Sequence, residues 1–179
     1  MHFNTTVHLR PDLTQRKMMQ DDFPALVAEV TRFVSGRRLD AALATHLNAT
    51  HGPGTPVYDA LFAACREGVA NGWMCQREAG GIRYGRVVKP GPATHGFSVD
   101  VVDMADVAGP HHTHPEGEID LVMPLASGDG LVPGGAAKFD GQAAGWKVYP
   151  PGSSHSPTVG GGRALVLYLL PDGAIEFTR

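Results

Sequence analysis

Gly109-Pro110-His111-His112-Thr113-His114-Pro115-Glu116-Gly117-Glu118 is the stretch that decides the fold. In extended backbone, successive side chains alternate faces, so His112 and His114 project to the same side. Glu118 has the same parity and lies just past the Pro115–Gly117 turn, so it can return to that face. Two imidazoles and a carboxylate converging on one point make a site for a divalent transition metal. A fourth ligand is offered by Tyr149-Pro150-Pro151-Gly152-Ser153-Ser154-His155, where a Pro/Gly turn re-aims the chain and delivers one histidine. His111 has the opposite parity and is expected to point outward or to support a ligand from behind. Glu116, inside the turn, competes with Glu118 for the metal, and in either role it could serve as an acid or base. The alternative is a metal-free surface cluster, and the Pro-x-Gly-x-x-His setting of His155 speaks against it.

Working outward, segments 82–88, 95–104, 118–125, 136–139, 145–149 and 164–170 read as strands separated by Gly/Pro-rich turns. The last of them, Ala164-Leu165-Val166-Leu167-Tyr168-Leu169-Leu170, is apolar on both faces. One face is expected to point into a barrel and the other to be covered by a helix or a partner subunit. Upstream of Trp73 the texture is helical. Residues 1–20 read as an arm. A first helix begins at Asp21-Asp22 with Pro24 early in it and an apolar stripe of Leu26, Val30, Phe33 and Val34. A second carries Leu39, Ala42, Leu43 and Leu47 and stops before His51-Gly52-Pro53-Gly54. A third has Thr55 as N-cap, Pro56 at its first position, a stripe of Val57, Leu61, Cys65 and Val69, and a stop at Asn71-Gly72. The expected architecture is mainly β: a single antiparallel β-barrel (jelly roll) over 73–179, behind an N-terminal arm and helical extension over 1–72. Gly160-Gly161-Gly162 reads as a turn, and no dinucleotide-binding fingerprint is present.

Composition narrows the function classes. With 42% hydrophobic residues among 179, the chain can bury a core without disulfides. Cys65 and Cys75 are expected to be free thiols. A net charge of −3, without a long Lys/Arg run, argues against nucleic acid. No apolar stretch approaches the roughly 20 residues that span a bilayer, and the N-terminus lacks a secretion signal. A soluble cytoplasmic protein is the plain reading. The helical prefix is expected to cap the barrel or to build a homodimer.

The two histidine segments resemble the paired motifs of the cupin superfamily: His112, His114 and Glu118 match the first, and Pro150, Gly152 and His155 match the second, with Gly145 just upstream. Three turn positions depart from the pattern. Asp106 and Leu125 stand where glycines are expected, and Val159 stands where an asparagine often follows the last histidine. More extended segments, 118–124, 145–153 and 165–177, resemble the 4-hydroxylaminobenzoate lyase family. That resemblance implies conversion of 4-hydroxylaminobenzoate and water to 3,4-dihydroxybenzoate and ammonia in nitrobenzoate breakdown. The one divalent metal of the four-ligand site, expected to be iron or manganese, would act as Lewis acid on the N–O oxygen.

The reaction is redox-neutral, in keeping with the missing nicotinamide fingerprint. A small aromatic acid needs a cation for its carboxylate, and Arg77, Arg83, Arg86 and Lys89 are the candidates. Tyr84, Trp146, Tyr149 and Tyr168 are candidates for the ring pocket, and Glu116, Asp120 and Tyr149 for moving protons. Two rivals stay open: a cupin dioxygenase acting on an aromatic substrate, and a non-catalytic small-molecule sensor. For the sensor, the Asn48–Gly54 connection is a poor match to a DNA-binding helix-turn-helix.

Overall fold

The chain forms helices first and strands afterwards in a computed structural model that describes residues 13–128 and 130–178. Helix α1 spans Leu13–Val34, α2 Ala41–His51 and α3 Pro56–Ala70. The strands are β1 (Arg77–Ala79), β2 (Ile82–Val88), β3 (Phe97–Ala108), β4 (His112–His114) and β5 (Glu118–Leu125), followed by β6 (Lys138–Phe139), β7 (Gly145–Tyr149), β8 (Ser153–His155), β9 (Thr158–Pro171) and β10 (Glu176–Phe177).

α1 corrects the sequence reading. It starts at Leu13, so residues 13–20 are helical and Pro24 lies in the helix interior, while residues 1–12 of the expected arm lie outside the described residues. Its buried stripe is Phe23, Val27, Val30 and Val34, with Leu26 and Phe33 at the half-buried margin. Leu13–Gln20 holds too few apolar residues to announce a helical period. The other helices start as their caps dictate. Asp40 Oδ1 accepts from the Leu43 N–H at 3.0 Å, and Thr55 Oγ1 accepts from the Tyr58 N–H ahead of the buried stripe Val57, Leu61, Cys65 and Val69.

The strands form an antiparallel jelly roll of the cupin type. One seven-stranded sheet runs β1-β2-β3-β9-β5-β7 with β6 paired to β9, and it faces a three-stranded sheet ordered β10-β4-β8. Side-chain parity divides the core. Ile119, Leu121 and Met123 of β5 and Leu165, Leu167 and Leu169 of β9 join one hydrophobic cluster with all three helices. Val122, Ala164, Val166 and Tyr168 turn the other way and pack with Met104 and Phe139 in the barrel interior. The helices therefore supply the cover that the two-faced apolar strand requires. Among the described residues, no helix is long and apolar enough to cross a membrane.

Gly160-Gly161-Gly162 is not a turn. It lies inside β9, where the ladder to β3 slips between Ala105↔Arg163 and Val107↔Val159. Opposite this bulge, Asp106 adopts φ +44° and its Oδ1 accepts from the Gly162 N–H at 3.0 Å. Aspartate tolerates the left-handed region better than most residues, so it can stand where the cupin pattern has glycine.

β7 is an edge strand, and α2 covers its exposed backbone. Asn48 Nδ2 donates to the Trp146 carbonyl and Asn48 Oδ1 accepts from the Trp146 N–H, both at 2.8 Å. A Cβ on Gly145 would lie 2.4 Å from Asn48 Oδ1, so this close approach requires glycine. Asn48→Ala should lower stability by about 2 kcal/mol, from two lost hydrogen bonds and a half-covered edge. Urea denaturation reads the change, and a loss below about 0.5 kcal/mol would show that the contact does not hold the helix to the sheet.

Candidate metal centre

β4 and β8 pair so that His112 lies directly opposite His155, and β5 begins at Glu118 beside them. The ligating atoms of His112, His114, Glu118 and His155 all lie within 4.8 Å of one another. His114 and Glu118 are fully buried and His112 nearly so. Backbone and carboxylate bonds fix two of the imidazoles. His112 Nδ1–H donates to the Pro110 carbonyl at 3.0 Å, leaving a buried Nε2 with no hydrogen-bond partner. His155 Nδ1–H donates to Asp140 Oδ2 at 2.6 Å, which turns its Nε2 inward to 3.0 Å from His114 Nε2 and 3.6 Å from Glu118 Oε1. His114 Nε2 also lies 3.2 Å from Glu118 Oε2.

Nitrogen lone pairs and a buried carboxylate crowd one point, and neither Glu118 oxygen has a regular hydrogen-bond partner. A buried anion left this way is costly, and a cation between the four groups removes the cost. The donor set, three imidazoles and one carboxylate, fits a divalent transition metal.

Titration behaviour follows from the same burial. Burial, with the neighbouring imidazoles, pushes His112 down to about 4 and His114 to about 3. Burial raises Glu118 to about 8, and burial together with the Glu118 charge raises Asp120 well above the usual carboxylate value. The neutral histidines favour the fold above pH 6.5, the ordinary histidine value, and that contribution is lost as pH falls toward their folded values. The carboxyls act in the opposite sense. The folded state keeps a Glu118 proton that the unfolded chain releases above 4.5, so stability falls as pH rises toward about 8. Between pH 6.5 and 8 the carboxyl effect stands alone in this cluster. Metal-stripped protein should melt at a lower temperature at pH 8 than at pH 6.5, and added divalent metal should raise the melting temperature more at pH 8. Thermal unfolding with and without metal measures both, and equal metal-induced shifts at the two pH values would refute the assignment of Glu118.

The sequence-predicted residues separate clearly. Glu116 is exposed on its turn and stands outside the His/Glu cluster. His111 is exposed and bonds Thr178 Oγ1 at 2.7 Å. Asp120 is fully buried on the inner face of β5, against Glu118. The Tyr149 hydroxyl donates to Asp140 Oδ2 at 2.5 Å, which ties it to the support of His155.

Asp140 itself was not singled out in the sequence. Its Oδ1 also accepts from the Thr158 N–H at 2.8 Å. Burial opposes its ionisation, but the bonds from His155, Tyr149 and Thr158 outweigh burial and hold its carboxyl below the ordinary value. Asp140 and Gly141 have φ +45° and +82° at the tip of a two-residue turn closed by Phe139 and Gln142. The Asp-Gly pair signals that turn, and the turn aims the carboxylate back at His155.

A cleft of about 800 Å³ opens beside the cluster, lined in part by His112, Tyr168, Tyr84, Arg86 and Phe177. That volume suits one small organic ligand. Arg77 and Lys89 also line it. Arg83 has the opposite parity and reaches Asp103 at 3.5 Å, beside the Arg163–Asp103 pair. Trp146 lies in the helix-facing core, its Nε1–H donating to the His51 carbonyl at 2.8 Å, away from the cleft. Phe177, which the sequence reading did not place here, pairs with His112 across β10 and β4, its ring 5.4 Å from that imidazole.

A family model described as 4-hydroxylaminobenzoate lyase matches residues 25–177. The chain belongs to the 4-hydroxylaminobenzoate lyase family. The matched span takes in α2, α3 and every strand, so the helical cover is part of the family's architecture. A 4-hydroxylaminobenzoate lyase from Nocardioides sp. (strain LMS-CY) is 35% identical over 136 residues, covering 73% of this chain and 78% of the relative. Another, from Pseudomonas putida, is 30% identical over 171 residues, covering 88% and 95%. Among solved structures, the DMSP lyase DddQ from Ruegeria pomeroyi DSS-3 matches with a TM-score of 0.50 at 17% identity, over 93% of this chain and 98% of that one. That likeness concerns the fold alone. Membership in a lyase family makes the chain an enzyme, which removes the sensor reading.

Proposed function

We propose that the enzyme converts 4-hydroxylaminobenzoate and water to 3,4-dihydroxybenzoate and ammonia, using one divalent metal, iron or manganese, held by His112, His114, Glu118 and His155. The observation that carries this reading is a buried His/Glu cluster at the wall of a cleft of about 800 Å³, in a chain whose relatives bear that activity as their name. When bound, the metal would supply Lewis acidity toward the oxygen of the substrate's N–O bond.

The chain's own residues account for orientation and protons. Asp140 and Tyr149 hold the His155 ring, and the Pro110 carbonyl holds that of His112. Apolar residues of the barrel interior, among them Val102, Met104 and Leu170, keep bulk water from the cleft wall. Asp120, whose carboxyl is raised well above the ordinary carboxylate range by burial and by its neighbour Glu118, is the proposed acid for the departing nitrogen.

Metal-loaded protein given 4-hydroxylaminobenzoate should release ammonia and 3,4-dihydroxybenzoate in equal amounts, and at the same rate without oxygen. The reaction adds only water, so oxygen has no place in its balance. No ammonia under any metal would overturn the reading, and an absolute need for oxygen would move the enzyme to the dioxygenase class.

A further inference from the structure

The strand register lays one row of side chains across the inner sheet. Arg86 of β2 is opposite Asp100 of β3, Asp100 is opposite Tyr168 of β9, and Tyr168 is opposite Asp120 of β5. Arg86, Asp100 and Tyr168 line the cleft, and Asp120 lies buried against the ligand Glu118. Three strand spacings separate the backbones of Arg86 and Asp120, about 14 Å before either side chain reaches inward. The row thus has a cation at one end and the His/Glu cluster at the other, along a cleft of about 800 Å³.

Arg86 is also the cation best fixed for this task. Its Nε–H is shared by the two Asp100 oxygens at 3.0 and 3.3 Å, and Nη2 donates to the Gly173 carbonyl at 3.3 Å. A guanidinium has five N–H donors, so those not given to Asp100 and Gly173 remain for a second carboxylate. The alternatives are less well placed. Arg86 is exposed like Arg77 and Lys89, but among the described residues no side-chain hydrogen bond or ion pair fixes Arg77, on its three-residue edge strand, or Lys89, beyond the end of β2, and Arg83 faces away toward Asp103.

We infer that Arg86 anchors the carboxylate of the aromatic acid, laying the ring across the Tyr168 position with its nitrogen-bearing end toward His112 and Glu118. This rests on the lyase reading for the identity of the acid. It makes the enzyme selective for para-substituted benzoates, because the anchor and the metal ligands stand at opposite ends of one row.

The test compares 3,4-dihydroxybenzoate with catechol, the same ring without the carboxylate, as ligands of the metal-loaded protein. Wild type should bind the carboxylated ligand at least ~10-fold more tightly, the scale of a charge-assisted bidentate contact. Arg86→Met should bring that ratio near one and leave the catechol affinity in place. If Arg86→Met fails to fold because Asp100 is left unpaired, Arg86→Lys decides. It keeps the charge, loses the planar fork, and should shrink the ratio about threefold or more.

A wild type without the preference, a preference preserved in a folded Arg86 variant, or a preference lost only in Arg77→Met overturns the anchor. Wild-type turnover of 4-hydroxylaminobenzoate is measured alongside. Turnover with a preserved ratio removes the anchor alone, and a collapsed ratio without turnover leaves the anchor standing and removes the lyase reading.

Discussion

His114→Ala should bind a divalent transition metal at least ~100-fold more weakly than the wild type and lose its lyase activity with the metal. Four-ligand sites contribute roughly 10–16 kcal/mol in small metal-dependent domains, so one ligand of four is worth about 3 kcal/mol, or about two orders of magnitude. His112→Ala and His155→Ala should behave alike. The fold should survive each change, because the ligands sit on β4, β5 and β8 while the apolar clusters lie elsewhere in the sheet and under the helices. Chelator competition gives the affinity and circular dichroism checks the fold. Full metal occupancy in all three variants would sink the assignment. Glu118→Gln keeps the shape and removes the anion, so it should weaken the metal and reduce activity further. Glu116→Gln should do neither, since its side chain is exposed on the turn. The reverse pattern would mean that the two glutamates exchange roles.

The clustering of His112, His114, Glu118 and His155 could be read from the sequence because it depends on local rules. Strand parity puts His112, His114 and Glu118 on one face, and a Pro/Gly turn presents His155. The third helix was legible for the same kind of reason, with Thr55-Pro56 marking its start and a regular apolar stripe marking its buried face. Parity carried further than the sequence reading took it. Tyr84 and Arg86 share a face of β2 that Arg83 cannot share, and Tyr149 and Trp146 lie on opposite faces of β7. What parity could not supply was which face each strand turns inward, and that is set by pairing between strands far apart in the chain. The three glycines at 160–162 show another limit. Their flexibility reads as a turn, but Ala105 and Val107 pair on either side and carry the ladder through them as a bulge. α1 begins early because helix propagation from its buried stripe extends into a segment with no stripe of its own.

Asp140-Gly141 announces a turn locally, but the part of Asp140 at the cluster depends on contacts that only the folded chain creates, and its removal should have the second-largest effect. Its carboxylate accepts from His155, Tyr149 and Thr158, fixing the imidazole so that Nε2 faces the other ligands. A carboxylate behind a metal-binding histidine sets its tautomer and strengthens it as a donor, and losing such a partner typically weakens metal binding about 10–100-fold. Asp140→Ala should therefore fall in that range. Asp140→Asn should lose less, because an amide oxygen can still accept from His155 Nδ1 without the charge. Tyr149→Phe should lose least, since it removes one bond to Asp140 and leaves the His155 contact intact. Chelator competition on the three variants gives the order, and the melting temperature of each metal-free variant separates a disturbed turn from a misdirected ligand. If Asp140→Ala held metal as tightly as the wild type, the orientation of His155 would have to come from its place on β8 opposite His112, with the carboxylate serving only the turn.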